Sequence, residues 1–207
     1  MAPRLIKAGS DPFGHFVLSN FYEPTFADML SRWLSREACW ERAVHHFYDQ
    51  FELNFKDAPF IPEVISAALL SPPALRSVKA LAEELFGTEF YPKVALGAHK
   101  LVDGQSIGIH TDDAPEAETH RIVVQLSSDW KDEFGGHLLF FGSEEVEDLK
   151  SMFRHVFNTA IGFSLDSVSY HAVAAVSQGE RLTVIYGLWS IGSTFSEANT
   201  ERTFAIA

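Results

Sequence analysis

YPKVALGAHKLV (91–102), SIGIHTD (106–112), HRIVVQLSSDW (120–130), GHLLFF (136–141), MFRHVFN (152–158), TAIGFSL (159–165), SYHAVAAV (169–176) and RLTVIYGLW (181–189) follow one another along the second half of this chain. Each is short, apolar and rich in β-branched or aromatic residues, which is the pattern of a strand. Turn-forming pairs separate many of them: Asp103-Gly104, Gly135-Gly136, Gly142-Ser143, Asp166-Ser167 and Gln178-Gly179. Strands at this spacing, preceded by helices, predict an α+β protein that is mainly β. The expected core is an antiparallel sandwich or barrel with the helices packed on one side.

Before residue 90 the period changes. HFVLSNF (15–21) reads as a short strand, and from about Thr25 Phe26, Met29, Leu30, Trp33 and Leu34 recur at helical steps. Trp40 to Phe55 is ambiguous: aromatic enough for strand, yet without Gly or Pro to break a helix. Pro62 opens a helix through about Leu70. Ser71-Pro72-Pro73 caps and starts another, which carries Leu75, Val78, Leu81, Ala82 and Leu85 and stops at Gly87. The chain divides as one domain over 1–207: a mostly helical part at 1–90, a barrel core at 91–192 and a polar surface tail at 193–207.

At 207 residues the chain is long enough to bury a core without disulfides or a structural metal. A single cysteine, Cys39, excludes an internal disulfide and is expected to be a small buried hydrophobe in a reducing compartment. The N-terminus has no apolar segment of the secretory kind, and no apolar run is long enough to span a membrane. With 28 acidic against 16 basic residues, the protein repels phosphate backbones. These features predict a cytoplasmic protein whose partners are neither nucleic acid nor membrane; oligomeric state is not readable.

Of nine histidines, only His110 has a carboxylate two places on, in His110-Thr111-Asp112. On a strand, residues i and i+2 share a face, so the pair can grip one cation. One such match is about what chance provides, so the motif alone is weak. His171, in another strand, can supply the third ligand of a two-histidine, one-carboxylate set, which suits non-haem Fe(II) and leaves positions open. Arg181 heads an otherwise apolar strand, with Thr183 on its face and Leu182 on the other. A buried arginine there requires an anionic partner.

In their order, HTD, the strand into SSDW, GGHLLFF, SYHAV and the following Arg181 resemble the Fe(II)- and 2-oxoglutarate-dependent oxygenases, prolyl-hydroxylase-like branch, from about Val94 to Trp189. HFVLSNFYEPTFADMLSRWL is similar to that branch's opening. The resemblance implies a double-stranded β-helix of the jelly-roll or cupin-like kind, with the N-terminal helices packed on one sheet. It implies Fe(II) held by His110, Asp112 and His171, with 2-oxoglutarate as cosubstrate on Arg181 and Thr183, and ascorbate as an accessory reductant. The activity implied is a dioxygenase that uses O₂ to hydroxylate a C–H bond of an amino acid, peptide or small natural product, while 2-oxoglutarate becomes succinate. Iron, cosubstrate, Asp112 and Arg181 together carry no net charge, which favours a desolvated site. A cupin-type metalloenzyme without 2-oxoglutarate, or a silent barrel binding a small ligand or peptide, is the alternative.

The chain departs from the branch where a tyrosine usually precedes L-N-x-D-W. Gln125 stands there, on the face of Val123 and Arg121, and its amide is expected to take over a hydrogen bond to the cosubstrate. Another expected tyrosine is replaced near Lys100 and His99, one of which is expected to reach the cosubstrate or the substrate. Peptidyl proline is therefore not implied as substrate. Asp103, Asp113, His120, Arg121 and Trp189 are expected around the barrel mouth. His45-His46, His15 and His155 read as structural, and His137 as a weaker site candidate. FYDQFELNF (47–55) reads as a packing surface that can also wall a substrate site.

Overall fold

The computed structural model of the chain describes residues 3–114, 116–194 and 202–206. The chain opens with strands β1 (Arg4–Gly9) and β2 (His15–Ser19), helix α1 (Pro24–Arg36), and the hairpin β3 (Glu41–His45) and β4 (Tyr48–Asn54). Helices α2 (Glu63–Leu69) and α3 (Pro72–Phe86) follow. The core strands are β5 (Lys93–Leu101), β6 (Ile107–His110), β7 (His120–Gln125), β8 (Leu138–Phe141), β9 (Leu149–Phe153), β10 (Thr159–Ser164), β11 (His171–Val173) and β12 (Arg181–Leu188), and β13 (Thr203–Ala205) closes the described chain.

Local chemistry accounts for the helix ends. Ser71 caps α3 by accepting from the Ala74 N–H, prolines fill the first turn, and Gly87 ends it in the left-handed region at φ 66°. Glu23 caps α1 in the same way through the Phe26 N–H.

Pairing runs β1-β2-β10-β7-β12-β5-β4-β6-β11-β8-β9, antiparallel throughout, with β13 on β5 and β3 on β4. The inner strands fall into two runs of four, β10-β7-β12-β5 and β6-β11-β8-β9, joined through β4. That is a double-stranded β-helix, with the sheet curled upon itself.

Strand parity divides the core in two. On β12, Leu182, Val184, Tyr186 and Leu188 join a cluster with Leu30 and Leu34 of α1, Ile65 of α2 and Leu75 and Ala82 of α3, between the sheet and the helices. The opposite face of the sheet contributes Leu101, Val123, Ile161 and Phe163 to a second cluster inside the barrel, with Leu138, Phe140 and Val173 from the facing sheet. Each fully buried Leu, Val or Phe stabilises this arrangement by about 1.5–3 kcal/mol. Tyr22 and Tyr186 share a buried hydroxyl–hydroxyl bond of 2.7 Å across the helix–sheet layer.

Some expectations need correcting. The ambiguous Trp40–Phe55 stretch is the β3–β4 hairpin, and an exposed strand, β1, precedes β2, so strands and helices share the first 90 residues. The strand expected at 152–158 is centred earlier, on Leu149–Phe153, where it edges β8. The tail is not only a surface extension: Thr203–Ala205 return to pair with β5, and Thr203 and Ile206 are buried. Tail residues 195–201 and 207 lie outside the described residues. Cys39 is exposed rather than buried, because it lies beyond the end of α1 and outside its apolar stripe. Among the described residues no helix is long and apolar enough to cross a membrane.

Candidate active site

β6 and β11 are antiparallel neighbours in which His110 stands directly opposite His171. Asp112 lies two residues past His110, beyond the end of β6 and on the same side. The three side chains offer ligand atoms that all lie within 4.8 Å of one another. His110 Nε2 is 3.6 Å from Asp112 Oδ1, and His171 Nε2 is 3.2 Å from Asp112 Oδ2. Each imidazole is held from behind: His110 Nδ1 lies 2.9 Å from the Gly108 carbonyl and His171 Nδ1 2.8 Å from the Ser169 carbonyl. A carbonyl only accepts, so both Nδ1 atoms carry the proton and both Nε2 lone pairs point at the shared centre. Phe47 stacks on the His110 ring at 4.5 Å and Phe163 meets His171 edge-on at 5.1 Å, which fixes the ring planes.

Asp112 is charged at any ordinary pH. Burial pushes its pKa up, but Arg121 and the two imidazoles outweigh this and hold it far below the carboxylate range. Arg121 Nη1 donates to Asp112 Oδ2 at 2.5 Å, and the same guanidinium bonds Glu118. Burial opposes the charge on Arg121, but Asp112 and Glu118 prevail and raise its pKa. Burial lowers the pKa of His171, which keeps it a neutral donor ligand. Two imidazoles and one carboxylate converging with open sides form the donor set that fits a ferrous ion.

Arg181 lies deeper in the same cavity, which is about 250 Å³ and is also lined by Thr183, Ile185, His99 and Leu138. It is 2% exposed, and its Nε donates to the Gly136 carbonyl at 2.7 Å. Burial draws its pKa down to about 10, and no acidic group among the described residues offsets that. A buried guanidinium that lines a cavity without an acidic partner among the described residues fits the carboxylate of a dicarboxylic acid.

Thr183 is buried beside it and sits in a polar row across the sheet: Glu52–His99–Thr183–Gln125–Thr159 are cross-strand partners in register. Gln125 is 1% exposed, and neither its amide oxygen nor its nitrogen has a hydrogen-bond partner among the described residues. His99 lines the cavity and stays neutral, because burial pulls its pKa to about 4 against the pull of Glu52.

Lys100 does not join the site. One residue of strand parity turns it to the outer face, opposite Leu182, where its ammonium lies 5.2 Å from the Trp40 and Phe51 rings and 3.4 Å from Glu180. The same parity removes His120 from the mouth and packs it against Phe86 and Phe90 beside α3. Trp189 is buried rather than at the rim, its indole donating to the Glu116 carbonyl. Asp103 is exposed in a turn, and Asp113 lines a neighbouring surface cleft. His155 is buried behind Arg181, with Nε2 accepting from the Ser127 N–H, and His15 is buried in the core. His45 and His46 are exposed.

Tyr48, Gln50 and Glu52, within the stretch read as a packing surface that can wall a substrate site, also line the cavity, as does Arg202, which was not singled out from the sequence. The available signal was the polar alternation Tyr48-x-Gln50-x-Glu52 within an aromatic strand. Arg121, expected only at the mouth, is instead bonded to a candidate metal ligand.

Residues 96–189, which carry His110, Asp112, His171 and Arg181, match the model of the 2OG-Fe(II) oxygenase superfamily. That segment, a little under half of the chain, is similar to the oxygenases of that superfamily, which use Fe(II) and 2-oxoglutarate. No curated protein matches the chain. Among solved structures it is similar to a prolyl-4-hydroxylase of Pseudomonas putida, at 15% identity and a TM-score of 0.66 over 85% of this chain and 92% of that one. An oxidoreductase of the 2OG-Fe(II) oxygenase family from Burkholderia pseudomallei is similar at 16% identity and a TM-score of 0.63, over 93% and 95% of the two chains. A prolyl hydroxylase of Trichoplax adhaerens, solved with a hypoxia inducible factor peptide fragment, gives 14% and 0.63 over 84% and 83%. At these identities the structures speak for the fold alone.

Proposed function

We propose that the protein hydroxylates an unactivated C–H bond of an amino acid, peptide or small natural product. In this reading His110, Asp112 and His171 hold Fe(II), and Arg181 with Thr183 binds the distal carboxylate of 2-oxoglutarate. Bound together, ferrous ion, 2-oxoglutarate and O₂ supply the oxidant for the C–H bond, with succinate and CO₂ as coproducts. The observation that carries the reading is a single cavity holding both the converging donor atoms and a buried guanidinium without an acidic partner among the described residues.

The chain's own part is positioning. The Gly108 and Ser169 carbonyls hold the imidazoles in one tautomer, and Arg121 holds the Asp112 carboxylate in place while leaving Oδ1 free of it. Gly136 anchors Arg181 through its Nε, so the terminal nitrogens remain for a bidentate carboxylate. Gln125, the cross-strand partner of Thr183, can offer a further hydrogen bond to the cosubstrate, since its buried amide has no other partner among the described residues. Leu138, Phe163 and Val173 line the apolar side and keep water out. A metalloenzyme without 2-oxoglutarate leaves Arg181 with no counter-charge. The test is succinate release from 2-oxoglutarate under O₂ with added Fe(II). The reading predicts release that is lost in His110→Ala and Asp112→Ala, and it fails if either variant keeps the wild-type rate.

A further inference from the structure

The wall of the cavity formed by β4 is not used by the metal and cosubstrate roles proposed above. Glu52 projects from it with a side chain 13% exposed. Gln50 Nε2 donates to Glu52 Oε1 at 2.9 Å, and Arg202 Nη2 donates to Oε2 at 2.6 Å. Burial opposes the carboxylate's charge, but His99, Gln50 and Arg202 together hold its pKa low, so Glu52 is an anion. Arg202 differs from the rest of the wall: it comes from the short C-terminal segment before β13, and its side chain is 54% exposed. It covers Glu52 from the solvent side.

A second observation points to a ligand. Gln50 is 2% exposed and lines the cavity, yet its Oε1 has no hydrogen-bond partner among the described residues. Exchanging its amide atoms would turn an oxygen toward the Glu52 carboxylate, so the nitrogen is the atom that faces Glu52. An unsatisfied buried acceptor next to a buried carboxylate calls for a donor that is also a cation. Phe47 and Tyr48 line the same wall.

The charges agree. Arg181, Arg121, Asp112 and Glu118 together with ferrous ion and a doubly charged cosubstrate sum to zero. Glu52 then leaves the cavity one negative charge in excess unless a cation covers it. Arg202 supplies that cation from the rim.

We propose that Glu52 and Gln50 form the recognition subsite for a small substrate bearing a terminal ammonium or guanidinium, and that Arg202 occupies this subsite until the substrate displaces it. This deepens the hydroxylase reading and rests on it for the word substrate; the binding itself does not.

The test titrates the full chain by calorimetry, without O₂, with L-arginine and L-lysine against L-citrulline and L-norleucine, analogues whose side chains are uncharged. The cationic pair is expected to bind and the uncharged pair to bind at least about tenfold more weakly, as loss of a charged hydrogen bond implies. E52Q should weaken arginine and lysine about tenfold or more. R202A should strengthen them, because the competing internal cation is gone. R202K, which keeps the cation, should restore affinities near the wild type.

No binding by either cation, equal binding of citrulline, or weakened binding in R202A each overturns the proposal. Circular dichroism of E52Q shows whether that variant is folded, and R202A at the half-exposed rim gives the independent reading. If arginine binds as described but no succinate forms with any probe, the hydroxylase reading fails and the subsite stands. If succinate forms while no cation binds, the subsite fails alone.

Discussion

Arg181 concentrates the account in one side chain. Its charge is buried and its Nε is committed to Gly136, so on the proposed reading removing it leaves the cosubstrate's distal carboxylate without its counter-charge. Arg181→Ala is predicted to raise the 2-oxoglutarate concentration needed for half-maximal succinate release by an amount equivalent to about 2–5 kcal/mol. Unchanged demand for 2-oxoglutarate contradicts the assignment. Gly136 gives a second handle that leaves the guanidinium in the chain. Its φ is +66°, and an added Cβ would lie 2.8 Å from Arg181 Cδ and 3.2 Å from the Trp130 ring. Gly136→Ala is therefore predicted to raise the same requirement by displacing Arg181, and a 2-oxoglutarate titration checks it. At this scale the placement of His110, Asp112, His171, Arg181 and Thr183 around one cavity was legible from residue type and parity together. For Gln50 and Glu52 only the stretch was legible, as one that can wall a substrate site, because a polar residue on alternate strand positions looks the same facing water or a cavity; Arg202, just before β13, fell in a tail read as surface. Lys100 shows the converse: one step of parity sends it to Trp40 and Phe51 instead of the site.

At the scale of elements, the strands that build the site were legible because apolar runs and turn pairs punctuate the chain after Gly87. The β3–β4 hairpin was not, since its aromatic residues suit either period and its turn, around His46 and Phe47, carries no glycine or proline. β13 was invisible for another reason: three residues gain their strand character only from β5 beside them. The junction between sheet and helices depends on a missing side chain. Gly162 on β10 faces the Phe16 ring, and an added Cβ would meet its atoms at 2.2–2.6 Å. Phe16 is 1% exposed and packs on Phe86 of α3 at 4.8 Å, so it cannot simply swing away. Gly162→Ala is predicted to destabilise the fold by about 1–3 kcal/mol through overpacking. Urea unfolding measures this; a midpoint equal to the wild type contradicts the packing described.

Over the whole molecule, buried neutral histidines tie stability to pH. Burial against Phe86 and Phe90 lowers His120 to a pKa of about 4, and burial beside Arg181 puts His155 well below its ordinary value. The unfolded chain protonates both near pH 6.5, so below that it binds more protons than the native state. Stability is therefore full above about pH 6.5 and falls as the pH is lowered toward about 4. Thermal melts between pH 7.5 and 5 should show a declining midpoint, and His120→Phe should reduce the slope; a midpoint that rises on acidification contradicts this. On the proposed reading one cavity holds ferrous ion at His110, Asp112 and His171 and a dicarboxylic acid between that ion and Arg181. Anaerobic titration of the protein with Fe(II) and then 2-oxoglutarate tests it directly. A weak visible metal-to-ligand charge-transfer band should grow with 2-oxoglutarate, saturate at one equivalent per chain, and require more cosubstrate in Arg181→Ala. Iron that binds while 2-oxoglutarate produces no band would contradict the account at its centre.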